Sequence, residues 1–110
     1  MKTTNNVNAI AANEAKAKIN QDNYVFIDVR NEEGVNDQNS ILGSVNIPLA
    51  TLDSALDKAS AHFNSIFESN KNFVFYCQGG GMSAKAAQRA VELGLQNVYN
   101  LTGGYMAWSN

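Results

Sequence analysis

Residues 73–83 read FVFYCQGGGMS: four apolar side chains, one cysteine, a polar amide, three consecutive glycines, then methionine and serine. Phe73–Cys77 is a short, nearly continuous apolar run, the pattern of a strand covered on both faces. Ser83–Leu93 (SAKAAQRAVEL) is rich in alanine and long unbranched side chains, and Gly94 follows where a left-handed residue closes a helix. A buried strand passing through a glycine loop into a helix is the core of a βαβ unit.

Upstream, Tyr24–Asp28 (YVFID) is a second apolar run of the same kind, and shorter runs at Val7–Ile10, Val45–Ile47 and Val98–Leu101 bring the strands to about five. Ala11–Ile19 is predicted helical. Leu52, Leu56, Ala59, Phe63, Ile66 and Phe67 recur at three- and four-residue intervals, which predicts one amphipathic helix from about Thr51 to Phe67. A short helix should follow Gly103-Gly104, with Tyr105 and Trp108 sealing the core. Strands alternating with helices pair in parallel through right-handed crossovers, so the expected fold is a three-layer α/β/α sandwich around a central, mainly parallel sheet of about five strands.

The 110 residues match one domain, expected to span 1–110. With 45% apolar and 16% charged residues, the chain buries roughly 65% of its unfolded surface and should fold alone. A net charge of −2 with no Lys/Arg run argues against a nucleic-acid partner. The N-terminus lacks the apolar core of a secretory signal, and no run of ~18 apolar residues occurs, so a cytoplasmic location without membrane contact is expected. One cysteine and one histidine, His62, supply neither an internal disulfide nor a Cys/His zinc cage, and no metal site is expected. His62 reads as a surface residue, and Asn100-Leu101-Thr102 as a chance glycosylation triplet.

In open α/β sheets ligands bind beyond the carboxyl ends of strands, where Cys77 sits. Gln78, Gly79, Gly80, Gly81, Met82 and Ser83 follow it, and three glycines let main-chain N–H groups turn toward an anion at the start of a helix. A thiol of ordinary pKa near 8.5 is only about 3% ionised at pH 7, and such a cradle favours the thiolate. Gly79-x-Gly81-x-x-Ala84 also fits a dinucleotide fingerprint, but Val98–Thr102 lacks the carboxylate that a ribose would need.

Cys77-Gln-Gly-Gly-Gly-Met-Ser83 resembles the active-site loop of rhodanese-like sulfurtransferases, whose common form is Cys-x-x-Gly-x-Arg-Ser. Three further segments resemble the family in order: Val25–Arg30 its second strand, Ile41–Pro48 its I-x-G-A-x-N-I-P stretch, and Gly103–Trp108 its closing G-G-x-x-A-W. The resemblance implies a single rhodanese-like domain in which Cys77 takes a sulfane sulfur, becomes a persulfide and passes the sulfur on, with loop amides 78–83 holding it. It implies no cofactor, a small sulfur donor such as thiosulfate or a persulfide, and a thiol, cyanide or persulfide-carrying protein as partner. Asp28 and Arg30 are expected to brace the loop, and Lys85 to lend some positive charge.

Two departures stand out. Met82 occupies the usual arginine position, which makes thiosulfate a weak donor and leaves a non-catalytic, protein-binding module as the alternative. Asn39-Ser40 replaces a common Gly-His at the rim. Phosphatases and arsenate reductases of this fold use Cys-x5-Arg, whereas the sixth residue after Cys77 is Ser83.

Overall fold

The computed structural model describes residues 6–110. Five strands, β1 (Asn8–Ile10), β2 (Tyr24–Asp28), β3 (Val45–Asn46), β4 (Asn72–Tyr76) and β5 (Val98–Leu101), form one sheet in the order β1-β5-β4-β2-β3. Every pairing is parallel, with β4 central and matched to β2 from Tyr24↔Asn72 to Asp28↔Tyr76. Helices α1 (Ala12–Lys16), α2 (Leu52–Leu56), α3 (Gly81–Glu92) and α4 (Gly104–Trp108) complete the layers. The expected sandwich with a parallel sheet is the observed fold.

Alternation along β4 decides which face receives the cysteine. Phe73, Phe75 and Cys77 pack with Ala86, Ala87 and Ala90 of α3 and Leu52 of α2. Val74 and Tyr76 point the other way, toward Phe26, Leu101 and the aromatic rings of Tyr105 and Trp108. Trp108 meets Phe26 edge-on at 5.7 Å and so seals this second layer. The Tyr76 hydroxyl, fully enclosed, takes the Ile41 N–H at 3.1 Å and pairs with Ser44 Oγ at 2.8 Å, which fastens the 41–44 turn beside the strand ends.

The long helix expected over Thr51–Phe67 is not formed. α2 stops at Leu56, and a single 3-10 turn at Ser65–Glu68 follows after a stretch of turns. Short polar side chains capture the backbone there: Asp57 Oδ1 accepts the Ala59 N–H, Ser60 Oγ the His62 N–H and Asn64 Oδ1 the Ile66 N–H. These local bonds compete with helical ones, and Leu56, Ile66 and Phe67 reach the same core without a continuous helix. The first helix is likewise shorter than Ala11–Ile19, although Glu14 caps its start by accepting the Ala11 N–H. Cys77 lies one residue past β4 rather than within it, and α3 begins two residues before Ser83. No helix among the described residues is long and apolar enough to cross a membrane. The N-terminal leader reading rests partly on residues 1–5, outside the described residues.

α4 is docked directly onto the loop after β4. Tyr105 N–H donates to the Cys77 carbonyl at 2.8 Å and Met106 N–H to that of Gln78 at 3.0 Å. Gly104 has φ +63°, and a Cβ there would lie 2.6 Å from Gln78 O and 2.7 Å from Cys77 O, both rigid backbone atoms. Gly104→Ala should therefore lower the thermal midpoint by roughly 8 °C or more. Gly34→Ala, with open space around it, should stay within about 2 °C of the parent in the same calorimetric scan.

Candidate active site

The sulfur of Cys77 is met by three groups of its own loop. Gly80 N–H and Ser83 N–H each donate to Sγ at 3.2 Å, and Ser83 Oγ lies 3.3 Å away. The geometry turns on one residue, Gly80, whose φ of +99° points its amide back at the sulfur and starts α3. Gly79 and Gly81 do not adopt positive φ, so the loop uses the special freedom of one glycine rather than of three. A Cβ on Gly80 would also press within 3.2 Å of Gly103 N.

Burial is the largest influence on the Cys77 thiol and pushes its pKa up. The Ser83 hydroxyl and the amides of Ser83, Gly80 and Gly79 pull it down and outweigh burial, so the thiol ionises below its ordinary range. The residue is only 3% exposed, so the anion is held by directed donors rather than by bulk water. Lower pKa means a larger thiolate fraction at any pH below the ordinary value. The rate of Cys77 alkylation against pH should accordingly reach its half-maximum at lower pH than that of a free cysteine peptide measured alongside.

Asp28 and Arg30 brace the loop. Arg30 Nε donates to Asp28 Oδ1 at 3.0 Å and Nη2 to Oδ2 at 2.7 Å, a two-pronged pair with Asp28 fully enclosed. The remaining guanidinium donors reach Gln78 Oε1 at 3.2 Å and the Asn39 carbonyl at 2.8 Å. Tyr76 and Tyr105 flank the cation at 5.7 and 5.5 Å, so Tyr105 sits at the rim over Arg30 as well as against the core. Arg30 thereby ties β2, the sulfur loop and the 36–40 turn together. That turn is built from its own asparagines: Asn36 Oδ1 accepts the Gln38 and Asn39 N–H groups, and Asn39 Oδ1 accepts that of Asn36. Removing one partner of a buried pair strands the other charge, so Asp28→Ala should cost about 3 kcal/mol or more in denaturant unfolding.

The other expected site residues are dispersed. Gln78 contributes its side chain to Arg30 and its carbonyl to α4, not to the sulfur. Gly79 and Gly81 are exposed, Met82 is 43% exposed, and Lys85 is exposed and makes no ion pair or side-chain hydrogen bond to another of the described residues. Lys85 thus offers no fixed charge at the sulfur, contrary to its expected supporting role, because the first turn of α3 directs it to solvent. His62 is a surface residue, lining a 380 Å³ depression with Asn46, Thr51 and Ser54 that includes none of residues 77–83. No cluster of three or more metal-ligating carboxylate, His or Cys groups occurs among the described residues.

Asn100 is the residue the sequence reading missed. Its Oδ1 accepts the Ser83 hydroxyl at 2.6 Å and its Nδ2 donates to the Gly80 carbonyl at 3.3 Å. The available signal was an amide within an apolar strand three residues before Gly103, where its side chain faces the glycine loop of the neighbouring strand.

A model of the rhodanese-like domain matches residues 11–110. The chain belongs to the rhodanese-like family. Its rhodanese-like relatives include the thiosulfate sulfurtransferase/rhodanese-like domain-containing protein 3 of Mus musculus, 32% identical over 100 residues, with 86% of this chain and 64% of that protein covered. The chain thus spans just under two thirds of that relative's length. The thiosulfate:glutathione sulfurtransferase of Homo sapiens is 34% identical over 89 residues, covering 76% of each. Among solved structures, a Rhodopseudomonas palustris protein of unknown function, described as a possible tyrosine phosphatase, superposes with a TM-score of 0.88 at 31% identity, covering 94% of this chain and 80% of that one.

Proposed function

We propose that the protein is a rhodanese-type sulfurtransferase in which Cys77 is the nucleophile and the sulfur carrier. The observation that carries this reading is the convergence of two N–H donors and one hydroxyl on a single sulfur at a strand end. The thiolate attacks the outer sulfur of a persulfide or of thiosulfate; a new S–S bond forms as the donor's own S–S bond breaks, and the leaving thiolate or sulfite takes the electron pair. An acceptor thiolate or cyanide then attacks the outer sulfur of the Cys77 persulfide and regenerates the Cys77 thiolate. No net oxidant is required. Cys77 is the sole cysteine, so the acceptor comes from outside the chain.

The charge distribution favours a persulfide donor over thiosulfate. Met82 is neutral, Arg30 is charge-paired with Asp28 and has four of its five N–H donors committed to Asp28, Gln78 and Asn39, and Lys85 is exposed. Among the described residues no fixed, unpaired cation remains to clamp a sulfonate, a contact worth about 1.5–3 kcal/mol or roughly ten- to a hundredfold in binding. Phosphatase chemistry is disfavoured on the same ground, since Ser83 stands six residues after Cys77 where an oxyanion-binding arginine would be needed.

Intact mass after incubation with glutathione persulfide should rise by about 32 Da, and Cys77→Ser should abolish the gain. A chain that takes up no sulfur from either donor would instead be a non-catalytic, protein-binding member of the family. Met82→Arg should raise kcat/KM for thiosulfate about tenfold, chiefly through KM; an unchanged value would mean that position 82 never faces the donor.

A further inference from the structure

Ser83 has one hydroxyl hydrogen and three acceptors around it. Asn100 Oδ1 is 2.6 Å from Oγ, the Gly80 carbonyl 3.2 Å and Cys77 Sγ 3.3 Å. Asn100 cannot reverse its amide to become the donor, because Nδ2 already donates to the Gly80 carbonyl, and a flip would set Oδ1 against that oxygen. The shortest contact takes the hydrogen. With sulfur neutral the pattern closes, the thiol donating to Ser83 Oγ and the hydroxyl to Asn100. With sulfur ionised it does not close, since thiolate and Asn100 Oδ1 compete for the same hydrogen.

We infer that Asn100 is a positioning residue that holds the Ser83 hydrogen away from the Cys77 sulfur and releases it only when that sulfur carries charge. The inference rests on Cys77 acting as a thiolate. Ser83 is completely enclosed and Cys77 3% exposed, so water does not stand in for the hydroxyl at the sulfur. Each ionisation of Cys77 must break the Asn100 bond, and the two amides carry the anion without that cost. The titratable and charged groups on the surrounding elements are Tyr24, Asp28 and the adjoining Arg30 on β2, Asp53 on α2, Tyr76 on β4, Lys85, Arg89 and Glu92 on α3, Tyr99 on β5 and Tyr105 on α4. Asp28 and Arg30 are paired with each other, Arg89 with Asp53, and Tyr76, Tyr99 and Tyr105 belong to the opposite layer; none contributes to the displacement of the Cys77 pKa.

The test is the pH profile of Cys77 alkylation by iodoacetamide in the full chain, for the parent, Asn100→Val, Ser83→Ala and the double variant. Valine suits a strand position, and Asn100→Ala, which removes the amide without adding volume, serves if valine does not fit. Freeing the hydroxyl should move the Asn100→Val profile to lower pH and raise the rate at pH 6 roughly three- to tenfold. In the Ser83→Ala background the same substitution should change nothing. A profile that stays put or moves to higher pH in Asn100→Val overturns the inference, as does an equal gain without Ser83. A parent that alkylates like a free cysteine and takes up no sulfur would defeat the sulfurtransferase reading instead, and the difference between variants would still report on Asn100.

Discussion

The main chain at Cys77 and Gln78 lies against that of Gly104 with no space for a β-carbon between them, and the site follows from that closeness. Two amides at the start of α4 satisfy the carbonyls of Cys77 and Gln78. With its carbonyls held on one side, the loop has its N–H groups available on the other. Gly80 then supplies the left-handed turn that brings its own amide and that of Ser83 to one point. A sulfur placed there by the alternation of β4 meets donors that do not have to reorganise when it ionises.

Two opposing terms act on that sulfur. Enclosure by α3 and the sheet disfavours charge, and the directed donors favour it; hydrogen bonds to an ionised acceptor are worth about 1.5–3 kcal/mol each, enough for two or three to overcome partial desolvation. The fold achieves this with neutral groups. Its one nearby guanidinium is consumed in architecture, joining Asp28, Gln78 and Asn39 under two tyrosine rings. Separating this cation from the cysteine leaves the sulfur with uncharged donors alone.

Much of the fold was legible because buried parallel strands write unbroken apolar runs: Tyr24–Asp28 and Val98–Leu101 have the bounds read for them, and α3 starts two residues and ends one residue before the range read for it. Thr51–Phe67 misled because its apolar spacing is helical while Asp57, Ser60 and Asn64 prefer local turns, and the packing needs only that the apolar side chains arrive, not that a helix delivers them. The loop itself was visible from its cysteine and glycines, but not the division of labour within it, since which glycine takes positive φ depends on where α4 docks. Asn100 escaped because its meaning comes from strand order: β5 lies next to β4, and only that adjacency brings residue 100 beside residue 83.

Three alanines, Ala86, Ala87 and Ala90, seat α3 flat on the sheet with no exposed surface. Their small size makes the helix a rigid lever whose tip is the Ser83 amide. Ala90 lies seven residues along from that tip, about 10 Å at the rise of an α-helix. A side chain larger than alanine there has to lift the helix from the sheet, so the aim of the Ser83 amide depends in part on packing at the far end of α3.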